Sequence, residues 1–100
     1  MKHETEFGRY LRAEKRSVKT QQPFSPKVAS DTVSRCKMVE RAFEIELSGK
    51  TVGTDTGLQK VIDSIKAAKL GATEKRQYAY NEHILAVRTY REFLAWRNPA

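Results

Sequence analysis

Hydrophobic residues recur every three or four positions along most of the chain, which is the spacing of one face of an α-helix. The pattern divides the chain into four segments, and none of them alternates apolar and polar residues as a half-buried strand does. Each predicted helix is apolar on one side only, so the apolar faces must bury against one another. The sequence therefore predicts an all-α fold, a compact four-helix bundle that forms one domain over residues 1–100 with its core at about residues 6–97.

The first predicted helix covers about residues 4–16 and the second about residues 25–47, with a polar, proline-containing connector between them. The apolar face of the first consists of Phe7, Tyr10 and Leu11. Ser25 suits the N-cap of the second helix, and Pro26 suits its first position. The apolar stripe of this helix comprises Val28 or Ala29, Val33, Cys36, Val39, Phe43 and Leu47. We expect Gly49 to end it in the left-handed conformation.

The third predicted helix begins near Thr54 and Asp55, which can cap it, and ends at Gly71. Its apolar positions are Leu58, Val61, Ile62, Ile65 and Ala68. The fourth predicted helix spans about Thr73 to Arg97 and has the broadest apolar face, made of Tyr80, Ile84, Val87, Tyr90, Phe93, Leu94 and Trp96. These two segments complete the predicted bundle.

The charge balance narrows the choice of partner. Nineteen Lys and Arg residues stand against twelve Asp and Glu residues, which gives a net charge of +7. Cations placed against phosphates release condensed counterions, so a basic domain of this size favours a polyanionic partner. Charge alone does not separate DNA from RNA or from an acidic protein, and a surplus of one sign also serves solubility.

The chain has no apolar run of transmembrane length and no signal-peptide hydrophobic region at its start. Cys36 is the only cysteine, so no intramolecular disulfide can form, and its place in an apolar stripe predicts a buried, inert thiol. We therefore expect a cytoplasmic protein that does not bind membranes.

No motif for catalysis is apparent. His3 and His83 are the only histidines, and neither belongs to a cluster with zinc-ligand spacing. There is no glycine-rich phosphate loop, nucleophile elbow or metalloprotease helix motif. We expect neither enzymatic activity nor a cofactor or metal, and we expect His83 to be a hydrogen-bonded structural imidazole.

The segment from Val28 to Arg35 contains a Thr-Val-Ser-Arg string that looks like the recognition helix of repressor helix-turn-helix domains. In that interpretation Ser30, Thr32 and Arg35 would contact base edges in the major groove. The motif requires a helix a short turn upstream, however, and the two prolines at positions 23 and 26 disfavour one. We therefore favour a different interpretation.

Three segments carry a resemblance that covers most of the chain. Phe7-Gly8-Arg9-Tyr10-Leu11 matches a Phe-x-x-Tyr-Leu opening helix, Leu58 to Leu70 matches a Leu-x-x-Val-Ile-x-x-Ile helix, and Ile84 to Trp96 matches a closing helix rich in Leu, Phe and Arg. In these features the chain resembles the N-terminal core-binding (SAM-like) domain of tyrosine recombinases and phage integrases, over about Glu6 to Arg97. The connector over residues 21–26 is richer in proline than is usual in that family, and the family's catalytic domain is absent.

This resemblance implies a module that holds one side of double-stranded DNA through contacts between basic side chains and phosphates. It does not assign the module to recombination: the chain is either a fragment of a longer recombinase or a stand-alone relative that has only the DNA-holding half. A protein partner or a catalytic domain acting in trans would fit the second case. The candidate DNA-binding residues form three groups: Arg9, Arg12, Lys15, Arg16 and Lys19 along the first helix and its exit, Lys27 and Arg35 on the second helix, and Lys75, Arg76, Arg88 and Arg91 around the fourth.

Two alternatives concern the apolar and aromatic residues. The protein is an adaptor if an exposed apolar face binds another protein, and Trp96 and Phe24 are then the candidate anchors. The aromatic residues would instead stack on unpaired bases if the partner were single-stranded nucleic acid. Helical spacing favours core packing for the aromatic set, which is Tyr78, Tyr80, Tyr90, Phe93 and Trp96.

Overall fold

The computed structural model describes residues 1–15 and 24–98, which contain five α-helices and no strand. The helices are α1 (Glu4–Ala13), α2 (Pro26–Phe43), α3 (Gly49–Val52), α4 (Asp55–Ala68) and α5 (Tyr80–Arg97). The all-α prediction is confirmed. Each of the predicted helices is present, and α3 is an additional single turn. None of the described helices is long and apolar enough to cross a bilayer.

α5 is the element against which the others pack. It contacts α1, α2, α3 and α4, whereas α1 otherwise packs on α2 and α3 packs on α4. This position explains why α5 buries residues around most of its circumference, among them Val87, Tyr90 and Phe93, which are fully buried. The molecule therefore consists of two helix pairs, α1–α2 and α3–α4, assembled on one central helix.

The second helix ends earlier than the sequence predicts. Glu44, with φ of 54°, adopts the left-handed conformation and donates its backbone N–H to the carbonyl of Glu40. Gly49 therefore does not end α2 but begins α3, because the Ser48 hydroxyl accepts from the backbone of Lys50 and the Thr51 hydroxyl accepts from the Ser48 N–H. Leu47 is still fully buried, since the chain turns back over the core between the two helices.

The fourth predicted helix begins later than expected, at Tyr80 instead of Thr73. The Thr73 hydroxyl accepts the backbone N–H of Arg76 at 3.0 Å, and the backbones of these two residues also exchange hydrogen bonds. Such local bonds compete with helix formation, so residues 73–79 form turns. The preceding helix, α4, ends at Ala68; its C-cap residue Lys69 is left-handed, and Gly71, two residues later, has a φ of 80°.

An aromatic cluster joins α1 to α5. The Phe7 and Tyr90 rings meet edge to face with centroids 5.1 Å apart, and Phe93 packs against both. The Tyr90 hydroxyl lies 2.8 Å from the Lys2 carbonyl and 3.0 Å from the Leu47 carbonyl, so its single hydrogen is shared between two segments that have no regular structure. Burial raises the pKa of Tyr90 to about 12, which keeps the hydroxyl a donor.

Replacing this hydroxyl tests its contribution to stability. Tyr90→Phe leaves the buried Leu47 carbonyl and the partly buried Lys2 carbonyl without this donor, so we expect the free energy of unfolding to fall by about 1–3 kcal/mol. Tyr78→Phe is the matched control, because the Tyr78 side chain is 69% exposed and its hydroxyl has no hydrogen-bond partner among the described residues. Urea denaturation of the two variants measures the difference, and equal stability would contradict the assignment.

Candidate nucleic-acid interface

α1 and α2 lie side by side and run in opposite directions. At one end of the pair the Lys37 ammonium is 3.2 Å from the Glu4 carboxylate, and at the other end Arg12 and Pro26 border the same groove. The groove between the helices has a volume of about 250 Å³ and is lined by Glu4, Thr5, Gly8, Arg12, Pro26, Ala29, Ser30 and Val33. Its walls therefore combine hydroxyl, apolar and small side chains with one cation, Arg12, and one carboxylate, Glu4.

Exposed side chains on both helices form a basic face, of which Thr5, Arg12 and Ser30 line this groove. On α2 they follow one another at intervals of three and four residues, which places them on one side of the helix. We define the basic face as Thr5, Arg9 and Arg12 of α1 together with Lys27, Ser30, Ser34, Lys37 and Arg41 of α2, all of them exposed. Among the described residues lining the groove Glu4 alone is acidic, and Lys37 balances its charge.

Three of the predicted DNA-binding residues belong to the basic face and are not neutralised by a carboxylate of the described residues. Arg9, Arg12 and Lys27 form no ion pair with any residue of the described ranges 1–15 and 24–98. The Nε of Arg12 donates to the Gly8 carbonyl at 3.2 Å, which keeps the guanidinium beside the groove. Arg16 and Lys19, predicted at the exit of the first helix, lie outside the described residues.

Four other predicted DNA-binding residues form ion pairs within the molecule. The Lys15 ammonium is 2.6 Å from the Glu92 carboxylate, and the Arg91 guanidinium is 2.6 Å from Asp55. Arg35 and Arg76 share the carboxylate of Glu82, the first at 3.4 Å. These pairs connect α2, the 69–79 turns, α4 and α5 to one another.

The predicted group around the fourth helix is not a single cluster in the structure. Arg76 is held at Glu82 near the start of α5, whereas Arg91 lies nine positions further along the helix, about 14 Å along its axis. Arg88 is exposed on α5, and Lys75 is exposed in the turn before it. Sequence spacing grouped these residues, but the late start of α5 separates them.

The basic face also contains two cations that the sequence analysis did not single out, Lys37 and Arg41. Both follow Lys27 at helical spacing on the side of α2 opposite its apolar stripe. Listing the polar positions of α2 by the same periodicity that found its apolar stripe would have identified them. Ser34 belongs to the same periodic set on α2, and Thr5 precedes Arg9 and Arg12 at helical spacing on α1.

The helix-turn-helix interpretation does not fit the placement of its key side chains. Thr32 is buried and donates its hydroxyl hydrogen to the Val28 carbonyl at 2.9 Å, while Arg35 is paired with Glu82. Of the three residues that would have contacted base edges, only Ser30 is exposed. Within the Thr-Val-Ser-Arg string, Thr32 and in part Val33 pack α2 against the core, and Arg35 pairs with α5.

The aromatic residues divide between core and surface. Tyr90 and Phe93 are fully buried, as the helical spacing predicts, and Tyr80 is partly buried. The prediction is wrong for Tyr78, which lies in the turn before α5 and is exposed. Phe24 packs partly against the core, whereas Trp96 stays 52% exposed although its ring contacts those of Tyr10 and Phe93.

Cys36 and His83 are both buried. The Cys36 thiol lies 3.4 Å from the Ala86 carbonyl, and burial raises its pKa to about 12, which confirms the prediction of a buried thiol. The prediction for His83 is only half right: Nδ1 is 3.4 Å from the Ala79 carbonyl, but Nε2 is buried with no partner among the described residues. No group of His, Cys, Asp and Glu in the described ranges could hold a metal ion.

Gly71 allows the turn after α4 to lie directly against the His83 ring. A Cβ added at Gly71 would be 2.5 Å from His83 Cε1, so no larger residue fits without displacing the imidazole. Burial lowers the pKa of His83; the bond to Ala79 opposes this effect, and the charge of Arg35 adds to it. A doubly protonated ring would carry an Nε2 hydrogen that has no acceptor among the described residues, which also disfavours the charged form.

Comparison of the chain with protein-family models, with curated proteins and with solved structures finds no match.

The burial of His83 makes stability depend on pH in a defined direction. Between the lowered pKa of the folded state and the ordinary value near 6.5, only the unfolded chain binds a proton at His83. Stability is therefore full above the ordinary pKa and is lost as the pH falls below it. We expect the urea midpoint to fall from about pH 7 to about pH 5, and His83→Gln to reduce this fall.

His3 is the other histidine of the chain and is partly exposed, so His3→Gln is the matched control. This control variant is expected to keep most of the pH dependence. If His3→Gln removes it and His83→Gln does not, the assignment to His83 is wrong.

Proposed function

We propose that this chain is a DNA-binding helical module without catalytic chemistry of its own, and that the basic face of α1 and α2 contacts the phosphates of duplex DNA. The observation that carries the proposal is the separation of the cations into two kinds. Lys15, Arg35, Arg76 and Arg91 are neutralised by carboxylates, whereas Arg9, Arg12, Lys27 and Arg41 are exposed and unpaired within the described residues. Charge that no carboxylate neutralises is free to act on an external anion.

The shape of the face suits a duplex. Lys27 and Arg41 are fourteen positions apart on α2, which corresponds to about 21 Å along the helix axis. The major groove of B-DNA is about 12 Å wide, so a stripe of this length reaches phosphates on both of its edges. Ser30 and Ser34 lie between the cations and can donate to phosphate oxygens or accept from base edges.

The resemblance to the core-binding domain of tyrosine recombinases supports the same partner, since that family holds duplex DNA through basic helical surfaces. The resemblance implies DNA-binding residues along the opening and second helices and around the closing helix, and α1 and α2 correspond to the first two of these elements. Contacts dominated by phosphates give weak sequence preference and a steep dependence on salt. Recombination itself is not part of the proposal.

Fluorescence anisotropy of a labelled duplex of about 20 base pairs, titrated across a salt series, tests the proposal. We expect a log–log slope of about −3 to −6, which corresponds to roughly four to six neutralised phosphates. Replacing Arg9, Arg12 and Lys27 together by Gln is expected to make the slope shallower by about 2 to 3, because each phosphate contact contributes about 0.9.

The matched control replaces Lys60, Lys66 and Lys69 by Gln. These lysines are exposed on α4 and at its end, form no ion pair within the described residues, and carry the same total charge as the tested set. The control is expected to leave the slope nearly unchanged. Equal losses in both variants would assign binding to net charge and not to the basic face, and absence of salt-sensitive binding to any duplex would refute DNA binding.

A further inference from the structure

The side of α5 that faces away from the core carries five exposed residues at helical spacing. Leu85, Arg88, Glu92 and Ala95 follow one another at intervals of three, four and three residues, and Trp96 adjoins the last of them. This is the a/d spacing of a helix that packs along another helix. All five are exposed, and Leu85 and Trp96 are 64% and 52% accessible although both are large apolar side chains. We call this set the α5 outer face.

The α5 outer face is complementary to itself. When two α5 helices are placed antiparallel with their midpoints at Tyr90, Leu85 of each copy faces Ala95 and Trp96 of the other. In the same register Arg88 of each copy faces Glu92 of the other, so opposite charges meet twice across the two-fold axis. A face with a cation on one side of its centre, an anion on the other, and apolar residues beyond both is what a two-fold interface requires.

The charges are available for this contact. Arg88 forms no ion pair within the described ranges, and Glu92 uses only Oε2 to accept from Lys15, which leaves its other oxygen without a partner among the described residues. An apolar ligand alone would leave both charges desolvated and unpaired, at a substantial cost. A second copy pairs both of them and covers Leu85 and Trp96 at once.

We infer that two copies of this chain associate through their α5 outer faces as an antiparallel, two-fold dimer. The inference does not depend on the proposed DNA binding, because the basic face is on α1 and α2. The contact of one helix with its copy is at the small end of specific interfaces, so the dimer is weak, with a dissociation constant on the order of 10 to 100 µM.

Sedimentation velocity across a concentration series tests the inference with two charge reversals. Arg88→Glu alone or Glu92→Arg alone brings like charges together at both symmetric positions, and each is expected to raise the dissociation constant at least ~10-fold. Mixing the two variants restores opposite charges at both positions, since one copy then carries two anions and the other two cations. The mixture is therefore expected to form a heterodimer at concentrations where each variant alone is monomeric.

The mixing experiment separates the dimer from effects within one helix. Arg88 and Glu92 are also neighbours along their own helix, and mixing two variants cannot repair a pair inside either chain. Lys66→Glu, which changes an exposed α4 lysine by the same charge, is the control and is expected to leave self-association unchanged. Circular dichroism checks that every variant is folded.

Two results would overturn the inference. One is a wild-type protein that remains monomeric up to ~1 mM, well above the expected dissociation constant. The other is a mixture of the charge-reversed variants that associates no more than either variant alone.

Discussion

The rest of the structure depends on the burial of α5 by the other four helices. Because α5 contacts every one of them, its side chains make up much of the core, and two segments without regular structure are held by one of those side chains. Tyr90 donates to carbonyls of residues 2 and 47, whose positions in the chain are far apart. A chain of one hundred residues has room for a single core, so its stability rests on how completely this helix is covered.

The packing of the other elements on α5 also determines which cations are paired with carboxylates and which are not. Glu82, Asp55 and Glu92 are placed where the other elements approach α5, and they neutralise Arg35, Arg76, Arg91 and Lys15. Among the described residues, the cations of the basic face form no ion pair with a carboxylate, apart from Lys37 with Glu4. α4 also exposes lysines that form no ion pair within the described residues, so what sets the basic face apart is that two adjacent helices both contribute unpaired cations to it.

The proposed contact with DNA and the inferred dimer involve different surfaces and depend on different interactions. The proposed contact with DNA relies on long-range charge and is sensitive to salt. The inferred dimer relies on buried apolar area with paired charges at its centre, and it needs a precise register. If both hold, the dimer presents two basic faces related by a two-fold axis.

Local patterns in the sequence were sufficient for the helices and for much of the core. The apolar stripes identified Phe7, Cys36, Ile62 and Tyr90 as interior residues, and the caps at Ser25 and Thr54 were predicted correctly, because both signals depend on residues within one or two helical turns. The candidate surface was predicted in part, through Arg9, Arg12 and Lys27. Lys37 and Arg41 follow Lys27 at the same helical spacing but were not among the predicted residues.

Other features were decided only by tertiary structure. Whether an arginine is free depends on carboxylates distant in sequence: Arg35 meets Glu82, and Arg91 meets Asp55, across separations that no local pattern encodes. The end of α2 at Glu44 and the late start of α5 follow from Leu47 turning into the core and from the Thr73 hydroxyl binding the backbone of Arg76. Sequence periodicity establishes which side of a helix is apolar, but only packing establishes which charges are left facing outward.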